Sequence, residues 1–207
     1  RFENIVEKKI KIGTEIGFIG LFKAGIEWIK NKTIFKEEDF KKLPSGNDAM
    51  IGSSGNDAMI GSSGNYAQIG SSGNYAQIGS SGYSAKIGSS GYKAKIGSSG
   101  DYAQIGSSGN YAQIGSSGDE AKISSSGDDC VIICAGRNSL AKAKIGSWIT
   151  LAEWKYSEEK QNFIPSSVVS KQVDGTEIKE DVYYTLQDGK FKEIRTAVKN
   201  SFNSTLV

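Results

Sequence analysis

The sequence predicts a mainly β protein: a parallel β-roll, or β-solenoid, of about five 18-residue coils, with an N-terminal capping helix and a C-terminal antiparallel β cap. Three observations predict it. First, a nine-residue unit, Gly-Asn-Tyr-Ala-Gln-Ile-Gly-Ser-Ser in its commonest form, recurs ten times between Gly46 and Ala135. A fixed period of this kind marks a stacked, quasi-one-dimensional architecture. Second, x-Ala-x-Ile-Gly-Ser alternates small apolar with polar residues, the period of a half-buried strand. Third, neighbouring units match in pairs. Asn-Asp-Ala-Met-Ile occurs in the units at 46 and 55, Asn-Tyr-Ala-Gln-Ile at 64 and 73, Gly-Tyr-x-Ala-Lys-Ile at 82 and 91, and Tyr-Ala-Gln-Ile at 100 and 109. Two units therefore close one coil, and the rival three-sided coil of 27 residues is disfavoured.

Unit positions are numbered 1–9 from the glycine. Positions 3–8 read as the strand, and Ser-Gly-Asn as the corner, because Gly and Asn tolerate positive φ. Glycine and paired serines every nine residues exclude a helix. Ala49, Ala67, Ala85, Ala103 and Ala121 should stack on one wall, and Ala58, Ala76, Ala94, Ala112 and Cys130 on the other, beside the isoleucines. The position-8 serines (Ser53, Ser62 and onward) point inward and are expected to form a hydroxyl ladder. At about 4.8 Å per strand, five coils make a rod of about 24 Å.

Residues 1–45 are read as an N-terminal strand, helix and linker, 46–146 as the solenoid, 147–195 as the antiparallel cap and 196–207 as a tail. Thr14 can cap a helix reaching about Asn31, whose stripe is Ile19, Phe22, Ile26 and Ile29. Lys23, Glu27 and three glycines favour a buried capping helix over a membrane span. An open roll exposes a raw strand edge, which such a helix would cover. After Ala135 the register is expected to slip, with Arg137–Leu140 as an insertion and Ala143–Ser147 returning to the repeat. Ser147–Trp154, Phe163–Val173, Val182–Leu186 and Lys190–Ile194 read as strands, and Asp174-Gly175 and Asp188-Gly189 as hairpin turns.

Charge is nearly balanced, 25 basic against 23 acidic residues, which gives no general electrostatic case for nucleic acid. The chain has no histidine, which removes Ser-His and Cys-His nucleophile systems and histidine-ligated metal sites. No cofactor is implied, and the chain is read as a non-enzyme. Asp48, Asp57, Glu120, Asp128 and Asp129 fall where solvated corner residues belong, which argues against paired-carboxylate glycoside chemistry. A calcium roll would need acidic ligands where Tyr66, Tyr75, Lys93, Tyr102 and Tyr111 stand. The mixed outward positions also argue against an ice-binding array. Cys130 and Cys134 are four apart on one strand, too far for a disulfide, and Cys130 fills an alanine slot as a small buried thiol.

What remains is the decorated exterior. Tyr66, Tyr75, Tyr102 and Tyr111, with Lys86, Lys93 and Lys95 between them, form the candidate partner-binding surface. A protein partner is favoured, nucleic acid is not, no membrane role is expected, and homo-oligomerisation is left open. A carbohydrate-binding or carbohydrate-active β-solenoid is the alternative.

Several segments together resemble an uncharacterised group of proteins found in bacteriophages and prophages. They are Lys11-Ile12-Gly13-Thr14-Glu15-Ile16-Gly17, the short Gly-Asn/Asp-x-x-Ala repeats, Gly146-Ser147-Trp148-Ile149-Thr150-Leu151, Val173-Asp174-Gly175 and Tyr183-Tyr184-Thr185-Leu186-x-Asp188-Gly189-Lys190. Members of that group carry a further N-terminal Cys-rich, His-containing module that this sequence lacks. The resemblance implies a phage context and a non-catalytic repeat protein. It supplies no site residues. Separately, no signal peptide is visible, and a reducing cytoplasm, the host's if the chain is phage-encoded, is the expected compartment.

Overall fold

The computed structural model describes residues 46–194, and the expected N-terminal strand, helix and linker and the terminal tail lie outside the described residues. The ten units give ten four-residue strands: β1 (Met50–Ser53), β2 (Met59–Ser62), β3 (Gln68–Ser71), β4 (Gln77–Ser80), β5 (Lys86–Ser89), β6 (Lys95–Ser98), β7 (Gln104–Ser107), β8 (Gln113–Ser116), β9 (Lys122–Ser125) and β10 (Val131–Cys134). Odd strands stack in one parallel sheet and even strands in the other. Each residue pairs with the one eighteen positions on, as in Met50 with Gln68 and Gln77 with Lys95. The two-unit coil is therefore the coil of the structure.

The interior is as thin as the sequence implied. From the second coil on, position-4 alanines are fully buried and position-6 isoleucines nearly so, while Ile51 and Ile60 of the first coil are only partly covered. Cys130 and Cys134 take position-4 and position-8 slots on the inner wall, both as buried free thiols. Desolvation pushes the Cys134 thiol up to about 12. The serine ladder does not form. Instead the Ser53, Ser62, Ser80 and Ser89 hydroxyls accept the N–H of the glycine two residues on, at 3.3–3.4 Å. Ser71, Ser98, Ser107, Ser116 and Ser125 have no protein partner among the described residues. The backbone leaves neighbouring hydroxyls one strand spacing apart, about 4.8 Å, beyond hydrogen-bond reach.

The corners also differ from expectation. Neither Asn at position 2 nor, after Gly46, Gly at position 1 takes positive φ; position 3 does, from Asp48 (60°) through Tyr66 and Lys93 to Asp129 (52°). Glycine at position 1 is needed for a different reason. From Gly64 onward a Cβ there would run into the carbonyl of the glycine one coil earlier. The coils touch backbone to backbone at that point.

A sixth coil follows, made of β11 (Leu140–Lys142) and the long β12 (Trp148–Ser157). Arg137–Leu140 is no insertion. It continues the repeat, with Asn138 in the left-handed position-3 conformation and Leu140 paired with Lys122. Nor does Ala143–Ser147 repeat the strand grammar. It forms the next corner, one residue short, so that Val131 pairs with Trp148 and Ile145 faces outward. Ser139 and Ser147, in the alanine slots, accept the N–H of Ala121 and Cys130 at 3.2 and 3.0 Å.

Beyond this coil, β13 (Asn162–Gln172) runs antiparallel along β12, while β14 (Tyr183–Gln187) and β15 (Lys190–Ile194) extend the odd sheet antiparallel. Tyr184 and Leu186 join Ile149 and Leu151 in the buried cluster and cover the apolar end of the stack. Asp188-Gly189 is the expected hairpin turn, with φ of 52° and 69°. Asp174-Gly175 is not a hairpin, because β13 and β14 belong to different sheets. There the Asp174 carboxylate takes the N–H groups of Thr176, Glu177 and Ile178 at 2.9–3.0 Å.

Candidate functional site

Each coil turns two corners, and positions 2 and 3 project from them. Seven of the corners are fixed by the position-2 side chain. Asn47, Asn56, Asn65, Asn74, Asp101, Asn110 and Asp119 each accept the position-2 N–H one coil on, at 2.8–3.1 Å. The backbone adds a second rung, from the position-3 N–H to the position-2 carbonyl of the next coil, at 2.8 Å for Tyr66 to Tyr83. A side chain on this frame stays at a set height along the rod.

The expected site residues stand on this frame but divide between its two corners. Tyr66 and Tyr102 precede odd strands; Tyr75, Lys93 and Tyr111 precede even strands. Lys86 rises from the odd sheet and Lys95 from the even one. The sequence placed the tyrosines on strand faces, whereas the left-handed turn at position 3 carries them to the corners. The fold brings together four of the seven. Tyr75, Lys93, Lys95 and Tyr111 line one shallow hollow of about 480 Å³, with Gln77 and Gln113 beside them and Asp57 and Asp129 at its two ends. Tyr66, Lys86 and Tyr102 are not part of it.

Two further residues complete the rows. At position 2, Tyr83 and Tyr92 fill the gap that Ser84 and Lys93 leave at position 3. Tyr66, Tyr83 and Tyr102 pack ring to ring at 5.8 and 5.1 Å, and Tyr75, Tyr92 and Tyr111 at 5.8 and 5.4 Å. Each corner thus carries a ladder of three rings in edge-to-face or tilted contact, roughly two-fifths to one-half exposed. The signal was in the sequence as Gly-Tyr at 82 and 91. A comparison of position 3 alone passes over it.

The ladders differ in charge. On the odd corner the Tyr102 hydroxyl donates to Glu120 at 3.1 Å, and that hydrogen bond holds its pKa above the usual tyrosine value. One coil on, Asp119 receives the backbone N–H of Arg137 at 2.8 Å and its Nε at 2.6 Å. The guanidinium holds the Asp119 carboxyl below the usual range, and Arg137 also lies 4.4 Å from the Phe163 ring. On the even corner, Lys93 lies 5.1 Å from the Tyr92 ring, and neither it nor Lys95 forms an ion pair among the described residues. Lys86 on the odd sheet is likewise in no ion pair among the described residues, so the even side differs in setting two such lysines, Lys93 and Lys95, beside its exposed rings. Among the described residues, no group of three His, Cys, Asp or Glu could hold a metal ion.

The chain matches no protein-family model, no curated protein and no solved structure.

Proposed function

We propose that the protein is a non-enzymatic binding module of phage origin that docks a protein partner on its solenoid surface and acts by steric blockade. The observation that carries this reading is the even-corner hollow. There an interlocked ladder of three tyrosines borders two lysines that have no carboxylate partner among the described residues. Tyrosine is a preferred anchor of protein interfaces. Rings already packed against one another lose little side-chain freedom on docking, so more of the contact energy appears as affinity. The unpaired lysines select a partner with an acidic patch. In its sharper form, motivated by the resemblance to phage proteins, the partner is a host immune nuclease and the protein an anti-defence inhibitor in the host cytoplasm.

The test is co-purification from host lysate with the wild-type chain, with Y75A/Y111A, and with Y66A/Y102A. Loss of the captured partner with Y75A/Y111A but not Y66A/Y102A is the expected result. Retention by a folded variant lacking all four tyrosines would rule out the proposed surface.

A further inference from the structure

The corners account for positions 2 and 3, but the flat faces of the two sheets remain. On them position 5 varies from unit to unit, whereas position 7 is glycine in the first eight units and position 9 serine in the first nine. The fold does not require that glycine. None of the position-7 glycines has positive φ, and a Cβ on Gly52, Gly61, Gly70, Gly79, Gly88, Gly97 or Gly115 would meet nothing within 4 Å. Glycine weakens a strand, and one kept there without an internal need marks a close approach by something else.

The consequence is a trough on each face. Its floor is glycine backbone and one lip is the position-5 file, with the exposed position-9 serines just beyond the strand ends. On the even sheet it runs over Gly61, Gly79, Gly97 and Gly115 and is stopped by Ile133. On the odd sheet it runs over Gly52 to Gly106 and is stopped by Ser124 and Tyr183. Positions 5, 7 and 9 of the ten units hold no carboxylate, and their only charges are Lys86, Lys95 and Lys122. Position-9 hydroxyls recur at about 4.8 Å, one per coil, while the position-5 file reads Met, Gln, Lys, Gln, Lys on the odd sheet and Met, Gln, Lys, Gln, Val on the even one.

We infer that these glycine-floored faces bind an extended anionic polysaccharide of uronic-acid type, lying along the solenoid axis. A pyranose ring advances by nearly the same distance as one coil, so successive rings stay in step with successive coils, each over a glycine and, in the three central coils, beside a Gln or Lys at position 5. Its C–H face rests on the glycine floor, its hydroxyls bond Gln amides and Ser hydroxyls, and its carboxylates meet the lysines. An extended peptide repeats its side chains on one side at about 6.6 Å and falls out of step within two coils. A second copy of the chain is poorly served: five coils by one four-residue strand make about 300 Å², against about 800 Å² per partner in a stable interface.

The test fills the trough without touching the core. G88V/G97V places one side chain on each face, in open space and with a residue suited to strands, so far-UV circular dichroism and the melting temperature should hold or improve. Calorimetric titration with hexagalacturonate, hexamannuronate and neutral cellohexaose is the readout. The wild type should bind at least one of the acidic sugars, more weakly as salt is raised. Affinity should fall about tenfold or more in G88V/G97V and in K86Q/K95Q/K122Q. Absence of binding to both acidic sugars, equal binding of cellohexaose, or unchanged affinity in G88V/G97V would overturn the inference. So would a wild-type dimer that G88V/G97V converts to monomer with no effect of sugar.

Discussion

At the scale of single residues, the repeat uses glycine for two unrelated purposes and withholds it where backbone conformation alone would call for it. Position 1 is glycine because the previous coil's carbonyl occupies the space of a Cβ, position 7 is glycine with open space above it, and position 3 is left-handed yet carries Asp, Tyr, Ser, Lys or Glu. A left-handed non-glycine residue costs about 1–2 kcal/mol. The position-3 N–H bond to the next coil offsets that cost from Asp48 to Glu120, joined at seven corners by the position-2 side-chain bond. Three neighbouring substitutions should therefore diverge under chemical denaturation. Gly82→Ala drives a methyl into the Gly64 carbonyl and should lose roughly 3–5 kcal/mol. Gly88→Ala fills empty space and should gain about 0.5–1 kcal/mol. Ser84→Gly should gain about 0.5 kcal/mol, the relief of backbone strain less the chain entropy that glycine adds to the unfolded state. Equal losses at positions 82 and 88 would contradict the stated roles of the two glycine files.

At the scale of elements, the strands were legible because Ala and Ile alternate with polar residues at a fixed period, and the pairing followed from the likeness of neighbouring units. The corners were less so. Which residue turns left-handed is decided by hydrogen bonds reaching eighteen residues along the chain, while local preference points to Asn and Gly. The sixth coil hid behind unlike residues: Ser139 and Ser147 stand for alanine, and the second arrives one residue early. Those serines each take a buried N–H group of the preceding coil. Ser147→Ala should thus cost about 1–3 kcal/mol by leaving the Cys130 N–H unpaired. The cap depends on carboxylates in the same way. Glu153 takes the N–H groups of Gly189 and Asp188 at 2.9 and 3.1 Å, which holds its pKa below the usual carboxylate range, and the Ile178 and Thr176 amides bring Asp174 down to about 2. A carboxylate whose pKa is depressed on folding leaves the unfolded chain binding more protons between the two pKa values. Its contribution is complete above the ordinary carboxylate range and is lost as pH falls toward about 2 at Asp174. Asp174→Asn should lower the melting temperature at neutral pH, and its curve should meet the wild type's in strong acid. Parallel curves down to the lowest pH would mean that the carboxylate does not stabilise the turn.

At the scale of the whole molecule, the described part of the chain is a stack in which each coil touches only the next, so its stability is close to a sum of coil terms and contacts between neighbours. The candidate surfaces follow the same logic, being columns whose content is set coil by coil. This makes the third coil, residues 82–99, separable: it carries Tyr83, Tyr92, Lys86, Lys93 and Lys95 at once. Excising 82–99 joins Ser81 to Gly100 with the two-unit register intact, because every pairing from β1 to β10 spans eighteen residues. The shortened chain should keep its β-sheet spectrum and a cooperative transition, with a lower denaturation midpoint and a rod shorter by about 4.8 Å in small-angle scattering. Tyr66 would then lie under Tyr102 and Tyr75 under Tyr111, with no lysine between them, so partner capture should fail although all four outer tyrosines remain. Removing thirteen residues instead, 82–94, breaks the register, turns alanine slots toward water and should abolish the transition. A folded thirteen-residue deletion would show that the coils are not held by register. A folded 82–99 deletion that still captured the partner would move the binding surface away from the basic coil.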